Sequence, residues 1–162
     1  MTIHIRLARE DDLPEIARIG AASFSGLRPR EAADLWVRSS WAAAPRMRYW
    51  VADQEGHVVA YILWTEKGGF RSDAVVELEQ IAVDPQRRSQ GIGGRLVRES
   101  YEGVRGEIAR SGRRVKAIEV TTGSEQGAIE FYRRTLGATV VAKIPDLFRG
   151  DEYILIARPS PE

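Results

Sequence analysis

The chain has no cysteine, which removes disulfides, thiolate metal sites and thiol nucleophiles together. Histidine is almost as scarce. A serine-histidine triad or a histidine-rich metal centre would depend on His4 or His57, the only two imidazoles, and neither stands near a nucleophile motif, so no metal is expected. An excess of one charge is also missing: 24 basic side chains face 23 acidic ones, a net +1, which leaves no broad positive field for a nucleic-acid backbone. The apolar runs are all too short to span a membrane, and Met1-Thr2-Ile3-His4-Ile5-Arg6 lacks the charged-then-apolar order of a signal peptide. These absences predict a soluble cytoplasmic protein that binds neither nucleic acid nor membrane. Any catalysis must lean on carboxylates, tyrosine, backbone amides and a cofactor.

What is present fits one domain over residues 1–162. The 43% hydrophobic and 29% charged content is that of a globular chain, and no linker, repeat or compositional break divides it.

Ile3, Ile5 and Leu7 alternate with His4 and Arg6, the period of a half-buried strand. Asp11 or Asp12 then caps a helix whose buried side carries Leu13, Ile16, Ala17, Ile19 and Gly20. A second helix is predicted over 29–43 and ended by Pro45, with Pro29 in its first turn. Strands over 48–53 and 58–65 form a hairpin about Gly56, and a glycine-containing loop leads to a strand over 75–83. The alternation of that strand shifts at its end, which hints at a bulge or a change of environment. A long helix to Ser111, a strand over 115–121, a helix over 128–136 closed by Gly137, and strands over 139–143 and 152–157 complete the order. The unit from Val75 to Thr121 requires a right-handed parallel crossover, whereas the other connections suit antiparallel pairing. The fold class is α/β: a mixed, mostly antiparallel sheet with a central parallel strand-helix-strand unit.

The crossover helix opens on Arg88-Ser89-Gln90-Gly91-Ile92-Gly93-Gly94. A helix start preceded by glycines presents free N–H groups and the positive end of the helix dipole to a phosphate or pyrophosphate. Arg87, Arg88, Arg95 and Arg98 add positive charge. A Walker loop needs a Gly-Lys-Ser/Thr ending that is absent, and a dinucleotide fingerprint needs a third glycine where Leu96 stands.

The run from Ile81 to Leu96 does resemble the Arg/Gln-x-x-Gly-x-Gly/Ala signature of the GNAT acyltransferases, and the likeness extends from Ile3 to about Arg158. The resemblance implies that Arg88, Ser89, Gln90, Gly91, Ile92, Gly93 and Gly94 seat the pyrophosphate of acetyl-CoA. It also implies that the pantetheine arm pairs with the strand edge at Ile81, Ala82 and Val83, where that strand splays from 117–121. A second similar region is Ile118-Glu119-Val120, then Ala128 to Tyr132 and Leu136-Gly137-Ala138. Two departures stand out: Ser124-Glu125-Gln126 occupies the place where the family has an asparagine, and Ala138 replaces a phenylalanine.

Acyl transfer to an amine needs a base, a polarised carbonyl and a proton for the leaving thiolate. Tyr132 matches the family tyrosine near the sulfur and is the candidate acid. Glu79 and Glu119 are the candidate bases. Glu119 is similar to the carboxylate of ribosomal-protein alanine acetyltransferases, and Glu77 matches the base of histone-type members. Phe24 to Trp41 and Ile144 to Glu152 should flank the amine, offering Arg28, Arg30, Trp36, Trp41, Asp146 and Phe148. The expected reaction is direct transfer to a primary amine, on a peptide terminus or a small molecule. The alternative is a CoA-binding regulatory module without turnover. A homodimer is compatible with either.

Overall fold

The computed structural model describes residues 2–125 and 127–160, with every side chain but that of Leu27. Alternating residues form the strands where expected: β1 (Ile3–Leu7), β2 (Met47–Gln54), β3 (His57–Lys67), β4 (Ala74–Val83), β5 (Val115–Gly123), β6 (Thr139–Ile144) and β7 (Glu152–Ala157). Between them lie helices α1 (Leu13–Ser23), α2 (Arg30–Ala42), α3 (Ile92–Arg110) and α4 (Ala128–Leu136). The sheet order is β1-β2-β3-β4-β5-β7-β6. The β4–β5 pair is parallel, joined through α3, while β1–β2, β5–β7 and β6–β7 are antiparallel. No helix among the described residues is long and apolar enough to cross a membrane.

The chain divides into two compact units, Met1–Trp64 with Gln80–Ser100, and Thr65–Glu79 with Tyr101–Glu162. In the first unit, Leu13, Ile16, Ala17 and Ile19 of α1 and Ala33 and Val37 of α2 pack with Tyr49, Val51, Tyr61 and Leu63. The helical spacing of these apolar positions is why α1 and α2 form and why this side is buried. Tyr49 and Tyr61 meet edge to face at 5.8 Å, a favourable ring geometry. The Tyr61 hydroxyl donates to Gln80 Oε1 at 3.2 Å. Burial, with Tyr49 beside it, holds the Tyr61 phenol far above its usual range. In the second unit the even-numbered face of β4, with Ala74, Val76 and Leu78, is buried, as are Ile118, Val120 and Leu155.

Two turns follow directly from residue type. β2 and β3 are joined by Glu55-Gly56, both left-handed at φ 54° and 87°, the geometry of a two-residue hairpin turn. α4 ends on Gly137 at φ 67°, its N–H donating to Arg133 O at 3.0 Å, as the sequence predicts. The expected change at the end of β4 is one of environment: the alternation of buried and half-buried positions gives way at Glu79, Gln80 and Ile81, beyond the last β5 partner at Glu77, while the register shift against β5 falls at Ala74/Val75. A second shift lies between Val140 and Ala142 on β6.

Asp12 departs from the capping role expected for it. It closes a 3-10 turn, Glu10–Asp12, and makes no side-chain bond into α1. Its carboxylate accepts from Arg6 Nη1 at 2.7 Å, Arg6 Nη2 at 3.0 Å and the Arg9 amide at 2.7 Å. The same guanidinium reaches Asp53 of β2 at 2.9 Å. Burial would raise Asp12, but the Arg6 and Arg9 hydrogen bonds outweigh it and hold the carboxyl below its ordinary range. A lowered carboxyl stabilises the fold above the usual carboxylate range, and that contribution is lost as the pH falls through the lowered value. Arg6→Met should therefore cost about 2–3 kcal/mol at neutral pH in urea denaturation. It should also make stability fall less steeply with acid than in the parent.

Candidate functional site

In the first unit β4 runs out at Val83 into a turn that is anchored at both shoulders. Asp84 N donates to Val59 O at 2.9 Å, Asp84 Oδ1 accepts from the Gln86 amide at 3.0 Å, and Asp84 Oδ2 accepts from Arg18 of α1 at 2.7 Å. Burial raises the Asp84 carboxyl, but the Arg18 bond and the Gln86 amide more than offset that and leave it low. On the far shoulder, Arg88 folds back to Val83 O and to Ser23 Oγ, both at 3.3 Å. Just past Arg88, Ser89, Gln90 and Gly91 are exposed.

Ser89 and Gly91 are left-handed, at φ 63° and 75°. Such residues turn successive peptide N–H groups toward one concave side, which favours an anion. A Cβ placed on Gly91 would meet no atom within 4 Å. The glycine is thus demanded by its backbone angle and leaves open space over the turn. α3 begins at Ile92, its first amides lacking intrahelical acceptors, and the first turn closes with Arg95 N donating to Gly91 O at 3.2 Å. Open space, left-handed residues and helix-start amides fit a diphosphate. The arginines contribute less than expected: Arg95 is bound to Glu99 at 2.8 Å and to Ile3 O at 3.1 Å, and Arg88 serves to brace the turn.

The second unit gathers the carboxylates. The β4–β5 register runs from Ala74↔Val115 to Glu77↔Glu119, whereas β4 extends beyond Glu77 and β5 continues to Gly123, pairing with β7. Glu119 therefore stands directly beside Glu77, at the point where the parallel ladder ends. Lys67, at the end of β3, bridges them: Nζ is 3.3 Å from Glu77 Oε2 and 3.1 Å from Glu119 Oε1. Burial raises the Glu77 carboxyl, with Glu119 and Glu79 adding to the rise and Lys67 opposing it. Glu79 has a different partner, accepting from Thr65 Oγ1 at 2.5 Å.

Tyr132 lies in α4 with its ring 5.2 Å from that of Phe131, edge to face. Burial, and Glu125 after it, push the phenol up to about 12, so it keeps its proton throughout the neutral range. Gln126, which falls where the family asparagine is usual, lies outside the described residues. Of the expected acceptor flanks in the first unit, Arg28 binds Ala21 O at 3.1 Å and Arg30 binds Asp34 and Pro14 O. Trp41 packs on the core and Trp36 is 45% exposed. In the second unit Phe148 is exposed and the Asp146 amide donates to Asp151 at 3.2 Å.

Lys67 and Thr65 are the residues that sequence reasoning missed. The strand was expected to end at Thr65, which put Lys67 in a loop. Continuing the period of two from Leu63 through Thr65 to Lys67, opposite a carboxylate-rich strand, is the signal that finds them. Removing Lys67 lifts the only opposing influence on Glu77, and a raised carboxyl stabilises at low pH and loses that contribution as the pH rises through its value. Lys67→Met should thus destabilise at neutral pH by about 1 kcal/mol at most, screening being strong at a side chain 42% exposed. Thermal unfolding should show the deficit shrinking as the pH is lowered toward the carboxylate range.

Known proteins agree with this arrangement of elements. Ard1 from Thermoplasma volcanium aligns at TM-score 0.77 with 18% identity, over 99% of this chain and 100% of that one. The ribosomal-protein-S18-alanine N-acetyltransferase from Escherichia coli aligns at 0.75 with 20% identity, over 99% and 96%. A chain of the NatC complex bound to Gag peptide and CoA aligns at 0.73 with 16% identity, over 99% and 100%. At such identities the likeness is one of fold. None of the curated proteins matches. The family model for the acetyltransferase (GNAT) family, however, matches residues 13–138, a span that holds the glycine turn, Glu77, Glu79, Glu119 and Tyr132, and the chain belongs to that family.

Proposed function

We propose that the chain transfers an acetyl group from acetyl-CoA to a primary amine. The observation that carries this reading is the left-handed turn Ser89 to Gly91, which follows the braced residues Asp84 and Arg88 and opens α3, inside a chain of the acetyltransferase family. Acetyl-CoA, when bound, supplies the activated acyl group as a thioester. The amides of Arg88 to Gly94 hold its pyrophosphate, and the backbone of Ile81, Ala82 and Val83 offers strand edge to the pantetheine arm. Gln80, pinned by Tyr61, fixes the start of that edge.

Glu79 or Glu119, directly or through a water, takes the proton from the attacking amine. Glu79 is steadied by a neutral hydroxyl, whereas Glu119 shares an ammonium with Glu77. Tyr132 serves the leaving sulfur. A thiol titrates near about 8.5, so full proton transfer from a phenol at about 12 runs uphill. The phenol therefore acts by hydrogen-bonding the developing thiolate, which takes its proton from solvent on release. With no cysteine in the chain, the acyl group passes directly to the amine rather than through an enzyme thioester.

A peptide amino terminus is the acceptor best supported. An α-amine titrates near about 8, against about 10.4 for a lysine side chain, and is the easier of the two to deprotonate. Two of the neighbours, a ribosomal-protein-S18-alanine N-acetyltransferase and a NatC chain bound to Gag peptide and CoA, support the same choice.

Acetyl-CoA should raise the melting temperature, adding about 2.7 kcal/mol at a hundredfold excess over Kd, and its thioester should be consumed in the presence of a suitable amine or peptide. Binding without consumption across a broad amine panel would leave a regulatory module as the better reading. Tyr132→Phe should lower kcat about a hundredfold in the same thioester assay while CoA binds as before. Full kcat in that variant would remove the tyrosine from the mechanism.

A further inference from the structure

The second unit holds a cavity of about 700 Å³ that Glu119 lines, together with Arg71 and Asp73 ahead of β4, Lys116 on β5, and Ile156 and Arg158 at the end of β7. Its volume is that of a small-molecule or peptide-end site. The charges around it are unequal. Asp73 is engaged by Arg114 at 3.2 Å and Glu119 by Lys67 at 3.1 Å. The exposed side chains of Arg71, Lys116 and Arg158 have no ion-pair or hydrogen-bond partner among the described residues. Elsewhere in this unit Arg113 has Glu66, and Lys143 has Asp151. Cations converging on one cavity without carboxylates of their own favour an anionic guest.

The register sets the spacing of that guest. Ile156 stands directly opposite Glu119. Arg158 follows two positions later, one residue past the end of β7, lining the same cavity about 7 Å further along at ~3.4 Å per residue. The cavity thus offers a candidate base at one level and unneutralised cations one short spacer away.

We propose that this cavity receives the acceptor, and that the acceptor is a primary amine with an acidic side chain, its amine toward Glu119 and its side-chain carboxylate toward Arg158, Lys116 and Arg71. This rests on Glu119 belonging to the acetyl-transfer site and narrows the substrate class of that site. The carboxylate comes either from a free dicarboxylic amino acid or from an acidic residue at a peptide terminus.

The test compares glutamate with glutamine, and peptides beginning Glu-Ala with those beginning Gln-Ala or Lys-Ala, in thioester consumption and in calorimetric binding to the full chain. The acidic member of a pair should be preferred in kcat/KM by about fivefold or more. Arg158→Glu should reverse the preference by about tenfold or more, because it sets like charges against each other. Preference for glutamate over glutamine without preference among the peptides assigns a free amino acid, and the converse assigns a peptide. Equal use and equal binding of acidic and neutral partners, or an unchanged ratio in both Arg158→Glu and Arg71→Glu, would overturn the inference and leave acetyl transfer intact. If no amine is acetylated but acidic peptides still bind and lose that binding in Arg158→Glu, the anionic site stands and the acetyl-transfer reading falls.

Discussion

Two glutamates side by side across a parallel ladder repel each other, and a cation between them relieves that repulsion. The register places Glu77 beside Glu119, and Lys67 is the cation. Much of the second unit follows from that constraint. β3 has to run on past its hairpin partner's length to deliver an ammonium at Lys67. The parallel ladder stops at this pair, while β5 stays paired with β7 through Gly123.

The glycine turn shows a second kind of constraint. An anion seat built from backbone amides must keep those amides from finding other partners, so the surrounding side chains brace the turn from outside. Asp84, gripped by Arg18, and Arg88, folded back to Val83 and Ser23, take up that work. Of the arginines around it, Arg95 is occupied by Glu99 and Ile3 O, and the helix start adds its own positive end to the seat.

Most of the fold could be read in the sequence because it rests on local rules. Period-two alternation marked β1 and β4, apolar runs between turn residues marked the other strands, helical spacing marked α1, α2 and α3, and the positive φ at Gly56 and Gly137 was demanded by their places in a turn and a cap. The order of elements followed, and with it the parallel crossover. The site was less legible, for a physical reason: its decisive contacts link residues far apart in sequence. Glu77, Glu79 and Glu119 could be named as strand carboxylates, but their different environments depend on Lys67 and Thr65, which only strand pairing brings near. Asp12 looked like a helix cap because its local context is that of one. A guanidinium from β1 outcompetes the helix amides for its oxygens. Arg71 and Arg158 carried no local signal at all.

The outer strand β6 has a consequence of another sort. It is paired on one side only, at the margin of the sheet, and its Val140 and Val141 are exposed, which is the profile of a strand ready to recruit a strand from another molecule. The register shift between Val140 and Ala142 interrupts its hydrogen-bonding rhythm, and Lys143, tied to Asp151, adds a charge to its outer portion. An intruding strand would have to match a broken row of donors and acceptors and displace an ion pair. The protein therefore carries an apolar margin that resists fibrous or sticky self-association without needing a helix to cover it.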